Sequence, residues 1–122
     1  MGGIRVFIID DHPIVREALR FFLSREPDLE FAGESDGTGD VQALIEAMQP
    51  QVVLVDFRLP VTPGDVLAGE LKKSRPDLKI LGISTDVELG SLKMLAAGAD
   101  GFLNKADVGR TAAMIRSIAH AE

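Results

Sequence analysis

The sequence contains no cysteine, which removes disulfides, thiolate metal sites and cysteine nucleophiles from consideration. Long apolar runs are missing as well. The tidiest, Val52–Val55, falls far short of the roughly 18 residues that a membrane-spanning helix needs. No Lys/Arg cluster occurs beyond the Lys72-Lys73 pair, and the net charge is −6. Non-specific DNA binding rests on clustered cations that neutralise phosphates, so direct nucleic-acid binding by this chain is not expected. Asp10-Asp11 interrupts the first apolar stretch too early for a signal peptide. Met1-Gly2 opens like a myristoylation signal, but Val6 stands where that motif requires Ser or Thr. These absences lead to the expectation of a cytoplasmic protein with no membrane contact.

What is present has the make-up of a single globular domain. The chain has 122 residues, 46% apolar and 26% charged, enough to bury a core and close to the globular average. Apolar, β-branched runs occur at Ile4–Ile9, Leu29–Ala32, Val52–Val55, Leu78–Ile83 and, more weakly, Gly101–Leu103. The first and third are nearly continuous rather than alternating, as strands buried on both faces should be. Between the runs lie stretches of helical period: Val15, Leu19, Phe22 and Leu23; Val41, Leu44, Ile45 and Met48; and Val108, Ala112, Ile115 and Ala119. Asp11 or His12 followed by Pro13 reads as an N-cap with proline in the first turn. Segments Arg25–Asp28, Gln49-Pro50 and Arg75–Asp77 close three helices, and Gly98 closes a fourth.

Five such βα units predict an α/β fold, a doubly wound parallel sheet in the order 2-1-3-4-5 with helices on both faces. A TIM barrel would need about twice the chain. Ligands in open α/β sheets sit at the carboxyl ends of the strands. There the sequence places Asp10-Asp11, Asp56, Ser84-Thr85-Asp86 and Asn104-Lys105. Singly, each has a plain structural explanation: a cap, a turn residue, a solvated amine. Together they do not. Strands 1, 3 and 4 would be neighbours, and two carboxylates 4 Å apart repel by roughly 4 kcal/mol at an effective dielectric near 20. A hard cation bound by oxygen ligands, Mg²⁺ rather than a Ca²⁺ cage, would compensate. Lys105 supplies positive charge from the far side, and Ser84 a hydroxyl between. Such a set suits phosphoryl transfer, with Asp56 on the central strand as nucleophile and Asp10 and Asp11 as metal ligands.

The sequence resembles bacterial response-regulator receiver domains over one domain spanning 4–121. Asp10-Asp11-His12-Pro13-Ile14-Val15-Arg16-Glu17 resembles in particular the receivers that precede a LuxR-type helix-turn-helix. Val52–Asp56 with Pro60 and Gly64 is similar to the phosphoacceptor strand and its loop. Ser84 lies 28 residues after Asp56, the usual family interval, and Gly98–Lys105 resembles the fifth strand with its lysine.

The resemblance implies a flavodoxin-like fold and a signalling module rather than an enzyme, one that assists its own phosphorylation and dephosphorylation. Asp56 would be the phosphoacceptor. Mg²⁺ would be held by Asp10, Asp11, Asp56 and the main-chain carbonyl of Arg58, and the phosphoryl oxygens by Ser84 and Lys105. Ser84 and Phe102 would form the switch. Implied partners are a sensor histidine kinase or phosphotransfer protein, a C-terminal DNA-binding output domain absent from this chain, and a second copy on phosphorylation. A chain ending just after its fifth helix would stop where a linker to that output domain begins.

Ser84 to Lys105 is 21 residues, one fewer than is typical of the family, and Thr85 stands where a small residue is usual. Arg58 and Asp86 flank the site mouth and, with Thr85, form a candidate gate against water. Two other readings remain. A flavodoxin-like nucleotide or flavin binder would need a glycine-rich phosphate loop, whereas Asp10–Pro13 is acidic. A pseudo-receiver would pair with partners without ever being phosphorylated. His12, at a helix start, and His120, near the end of the chain, are expected to be structural or solvent-exposed.

Overall fold

A computed structural model describes residues 3–121; the Met1-Gly2 start lies outside them. Five strands, β1 (Ile4–Ile9), β2 (Leu29–Ser35), β3 (Val52–Asp56), β4 (Lys79–Ser84) and β5 (Gly101–Asn104), alternate with five helices. The helices are α1 (Pro13–Ser24), α2 (Val41–Met48), α3 (Gly64–Ser74), α4 (Val87–Ala96) and α5 (Thr111–Ala119). All pairings are parallel and the order is β2-β1-β3-β4-β5.

The alternation of side chains along each strand divides the core into two layers. Phe7, Ile9, Val53, Val55 and Ile80 face α2, α3 and α4, packing on Val41, Ile45, Leu67, Leu71 and Met94. Val6, Ile8, Val52, Leu54 and Leu81 face the other way, onto Leu19 and Leu23 of α1 and Ile115 and Ile118 of α5. Val52–Val55 is wholly buried, which is why its sequence is continuous rather than alternating. Among the described residues, no helix is long and apolar enough to cross a membrane.

Local departures from the sequence expectation have physical causes. β2 runs beyond its apolar stretch to Ser35, and a bulge absorbs Ala32, so that Phe31 pairs with Val6 and Gly33 with Phe7. Gly33 has φ 148, and a Cβ there would meet the Phe7 ring at 3.0 Å, so only glycine fits without displacing that ring. The last helix starts later than the period of Val108 suggested. Lys105–Arg110 forms a 3₁₀ segment with Asp107 out of helical geometry, and α5 begins at the buried Thr111. Val108 still packs on the core. Leu44 and Met48 lie on the periodic face of α2 yet remain over a third exposed; only Val41 and Ile45 of that helix are buried.

Two close approaches aim the carboxyl ends of the strands. A Cβ on Gly64 would lie 2.0 Å from the carbonyl oxygen of Asp56, so glycine lets α3 start directly against the end of β3. At the end of β1, the Asp10 N–H donates to the Ser35 carbonyl at 3.1 Å. The Arg16 guanidinium donates both to the Asp10 carbonyl (2.7 Å) and to Glu34 (2.9 Å). Arg20 also pairs with Glu34. This clamp ties the tips of β1 and β2 together.

Candidate phosphoacceptor site

The central strands carry their carboxylates into one crevice. Asp10 ends β1 with no solvent exposure, and Asp56 ends β3 at 1%. Asp10, Asp11, Asp56 and His12 each offer one ligand atom, and these atoms lie within 4.8 Å of one another. The cleft above them, about 290 Å³, is walled by Asp11, His12, Asp56, Ser84, Thr85 and Lys105 among others.

Lys105 does more than face this cluster from the far side. Its ammonium stands 3.0 Å from Asp56 Oδ2, donating a hydrogen bond, and 2.9 Å from Asp10 Oδ2. The chain places it there by turning from β5 directly into the 3₁₀ segment, whose start Asn104 caps by accepting from the Ala106 N–H. Asp56 Oδ1 accepts from the Arg58 N–H at 3.2 Å. Burial, followed by the neighbouring charge of Asp10, pushes the Asp56 carboxyl above the usual carboxylate range, although Lys105 pulls the other way. Burial alone would lower the Lys105 amine, but donating to Asp10 and Asp56, and their negative charge, hold it above its usual value.

One ammonium does not balance three carboxylates. Asp11 Oδ1 is buried without a hydrogen-bond partner, and Asp10 Oδ2 has only its ion pair with Lys105 at 2.9 Å. Oxygen lone pairs left this way are costly unless a cation takes them. The residues therefore fit a divalent metal ion, and the three carboxylates among them suit a hard one.

Ser84 is buried at the end of β4, where its Oγ accepts from the Asp86 N–H at 2.9 Å; its own proton is left to donate toward the cleft. Thr85 is exposed at the rim. Arg58 and Asp86 form an ion pair at 2.6 Å across the mouth, with the Arg58 guanidinium stacked over Phe57. Asp86 occupies the N-cap of α4 but its carboxylate caps nothing there, being committed to Arg58. Phe102 is half-buried against the core, its ring close to Gly90 of α4, which also borders Ser84.

The site holds one residue that the sequence reading set aside. The His12 side chain is 57% exposed, yet its Nδ1 lies 2.9 Å from Asp10 Oδ1, 3.2 Å from Asp11 Oδ1 and 3.7 Å from Asp56 Oδ2. It is at the helix start, as expected, but its ring turns back over the aspartates instead of capping α1. Arg16 and Glu34 brace the Asp10 turn, a contact between helix and strand end that the sequence does not announce. Their only sequence signal is a helical charge two turns or less from an acidic strand end.

The family model for the response regulator receiver domain matches residues 6–116. Among curated proteins, the chain is 33% identical over 103 residues to the DNA-binding transcriptional activator DevR/DosR of Mycobacterium tuberculosis, covering 84% of this chain and 48% of that protein. It is 34% identical to the transcriptional regulatory protein YxjL of Bacillus subtilis, covering 84% of this chain and 47% of that one. The chain thus spans about half the length of the curated relatives it matches. Among solved structures, a LuxR-family two-component response regulator from Aurantimonas superimposes with a TM-score of 0.88 at 28% identity, covering 97% of this chain and 86% of that one. The signal receiver domain of NarL from Mycobacterium tuberculosis does so at 0.84 and 28%, covering 99% and 100%.

Proposed function

The chain belongs to the response-regulator receiver family, and from that premise we propose that it is a phosphorylation-dependent switch with Asp56 as phosphoacceptor. The observation that carries the assignment is a nearly unexposed carboxylate at the end of the central strand, 3.0 Å from a lysine and grouped with two further aspartates. A carboxylate oxygen of Asp56 attacks phosphorus in line. The P–N bond of a phosphohistidine donor breaks, and its electron pair and a proton end on the departing imidazole. Mg²⁺, held by Asp10, Asp11, Asp56 and the Arg58 main-chain carbonyl, would supply the charge that neutralises the phosphoryl oxygens. Lys105 orients one of those oxygens and the Ser84 hydroxyl donates to another.

The added phosphoryl group brings about −1.5 to −2 charges. Lys105 and Ser84 then exchange their present partners for phosphoryl oxygens. β4, β5 and the start of α4 shift with them, and Phe102, packed near Gly90, reports the change by altering its rotamer. A sensor histidine kinase or phosphotransfer protein is the donor, and the module is a switch rather than an enzyme with a separate substrate. The relatives that regulate transcription are longer, the match covering about half of each, and a DNA-binding output domain or a second copy of this domain would read the switch in such a protein.

Incubation with acetyl phosphate and Mg²⁺ should add one phosphoryl group by intact mass. The Asp56→Asn chain should take up none. An adduct that persists in Asp56→Asn would reassign the acceptor. No adduct in the wild-type chain would favour a phosphorylation-independent interaction module, for which the Arg58–Asp86 pair closing the mouth speaks.

A further inference from the structure

His12 is the one group at the carboxylate cluster that the phosphoacceptor reading leaves without a role. Its position is fixed rather than incidental. Pro13 follows it, which confines the His12 backbone to extended geometry, and it is found there at φ −95, ψ 109. Its N–H donates to Asp10 Oδ1 at 2.8 Å. The ring is thereby brought over the aspartates with Nδ1 turned inward and much of its outer surface in solvent.

The ligand atoms of Asp10, Asp11, His12 and Asp56 lie within 4.8 Å of one another, and the distances around Nδ1 suit adjacent ligands of one ion as well as the hydrogen bond that joins it to Asp10 Oδ1. An octahedral ion with bonds near 2.1 Å spaces adjacent ligands about 3 Å apart. Nδ1 lies 2.9 Å from Asp10 Oδ1 and 3.2 Å from Asp11 Oδ1, with Asp56 Oδ2 slightly further at 3.7 Å and the Lys105 ammonium, the cation now at the site, at 3.3 Å. Asp11 Oδ1 is a buried oxygen without a hydrogen-bond partner, and the one ammonium nearby already serves both Asp10 and Asp56, so the pocket has room for further positive charge. A neutral imidazole with its proton on the outer nitrogen presents an Nδ1 lone pair to that cation. Imidazole suits nickel, zinc, copper and iron, whereas magnesium prefers oxygen and keeps its waters.

We propose that His12 is a nitrogen ligand which makes this carboxylate site a binding site for first-row transition ions such as Ni²⁺, Co²⁺ and Zn²⁺ as well as Mg²⁺. This rests on the reading that Asp10, Asp11 and Asp56 hold the divalent ion. The two classes of ion compete for the same three carboxylates, and only the transition ions engage the ring. Loading by such an ion leaves one coordination position fewer for water or a phosphoryl oxygen.

The test is calorimetric titration of a tag-free chain with Ni²⁺ and with Mg²⁺, for wild type and His12→Phe. In the variant, Ni²⁺ affinity should fall by about tenfold or more, the scale on which changes within a metal site are felt, while Mg²⁺ affinity falls far less. Zn²⁺ should also move the ¹⁵N resonance of His12 Nδ1 and leave His120, the other histidine, unaffected. An unchanged Ni²⁺-to-Mg²⁺ affinity ratio in His12→Phe, or a Zn²⁺ response at His120 alone, overturns the proposal. If that occurs while the wild-type chain still binds Mg²⁺ and is phosphorylated at Asp56, only the role of His12 falls. If the wild-type chain binds neither ion, the carboxylate site itself has been misread.

Discussion

Replacing Lys105 by Met keeps the aliphatic stem and removes only the ammonium, leaving Asp10, Asp11 and Asp56 without their one fixed lysine charge. The two lost contacts, at 2.9 and 3.0 Å, are each worth about 5 kcal/mol in Coulomb terms at an effective dielectric of 20. The net loss is smaller, because the ammonium no longer has to be desolvated. Proton uptake sets the ceiling. Keeping an ordinary aspartic acid protonated at pH 7 costs about 4 kcal/mol, and Asp56 already titrates above the ordinary range, so protonation caps the loss below that figure.

The sign of the pH dependence follows. In Lys105→Met the folded-state pKa of Asp56 rises further above its unfolded value. The stability gained by protonation is fully present at acid pH and is lost as pH rises through that raised pKa. The gap between variant and parent should therefore be about 3 kcal/mol in metal-free buffer at pH 7, and should shrink by up to roughly 1.4 kcal/mol per unit as pH falls toward 5. Saturating Mg²⁺ should narrow it as well. Urea unfolding followed by far-UV circular dichroism measures all of this, with each pH compared variant against parent. A gap under about 1 kcal/mol at pH 7, or one that does not change with pH, would show that Lys105 is a solvated amine.

Three further outcomes are expected. Once Asp56 is phosphorylated, Arg58→Asn with Asp86→Ala should speed loss of the label at fixed Mg²⁺, because the pair spans the mouth through which water must come. Stability should change by no more than about 1 kcal/mol, both side chains being substantially exposed, and equal decay rates would refute the gate. Gly64→Ala should cost about 3 kcal/mol or more in urea unfolding, since its Cβ would sit 2.0 Å from the Asp56 carbonyl oxygen and only movement of α3 could relieve it; an unaltered midpoint would mean that α3 is not seated there. Asp28 is held at about 2, chiefly by its hydrogen bond from Arg116. Because that folded-state value is depressed, its contribution is present above the usual 3.8 and is lost as pH falls toward 2. A carboxyl NMR titration of Arg116→Gln should return Asp28 to near 3.8, and no movement would refute the pairing.

Much of this was legible in the sequence because it depends on period and order. Val52–Val55 reads as a doubly covered strand, and five alternating βα units leave few topologies. A strand-end rule then gathers Asp10, Asp11, Asp56, Ser84 and Lys105 without coordinates. What escaped depends on local backbone geometry between elements. No pattern in the sequence tells that Pro13 and the Asp10 carboxylate turn the His12 ring inward. Nor does any tell that Arg16 and Glu34 meet across the tips of β1 and β2. The bulge at Ala32 and the 3₁₀ segment that starts at Lys105 belong to the same class, since each is a local backbone adjustment that hydrophobic period does not reveal.

The central claim is that the phosphoryl group resides on Asp56, and reductive trapping tests it most directly. Borohydride converts an aspartyl phosphate to homoserine, which tandem mass spectrometry then locates in the peptide. After acetyl phosphate and Mg²⁺, homoserine is expected at position 56 and at no other aspartate. Homoserine at position 10 or 11, or none under conditions where intact mass shows an adduct, would contradict the assignment.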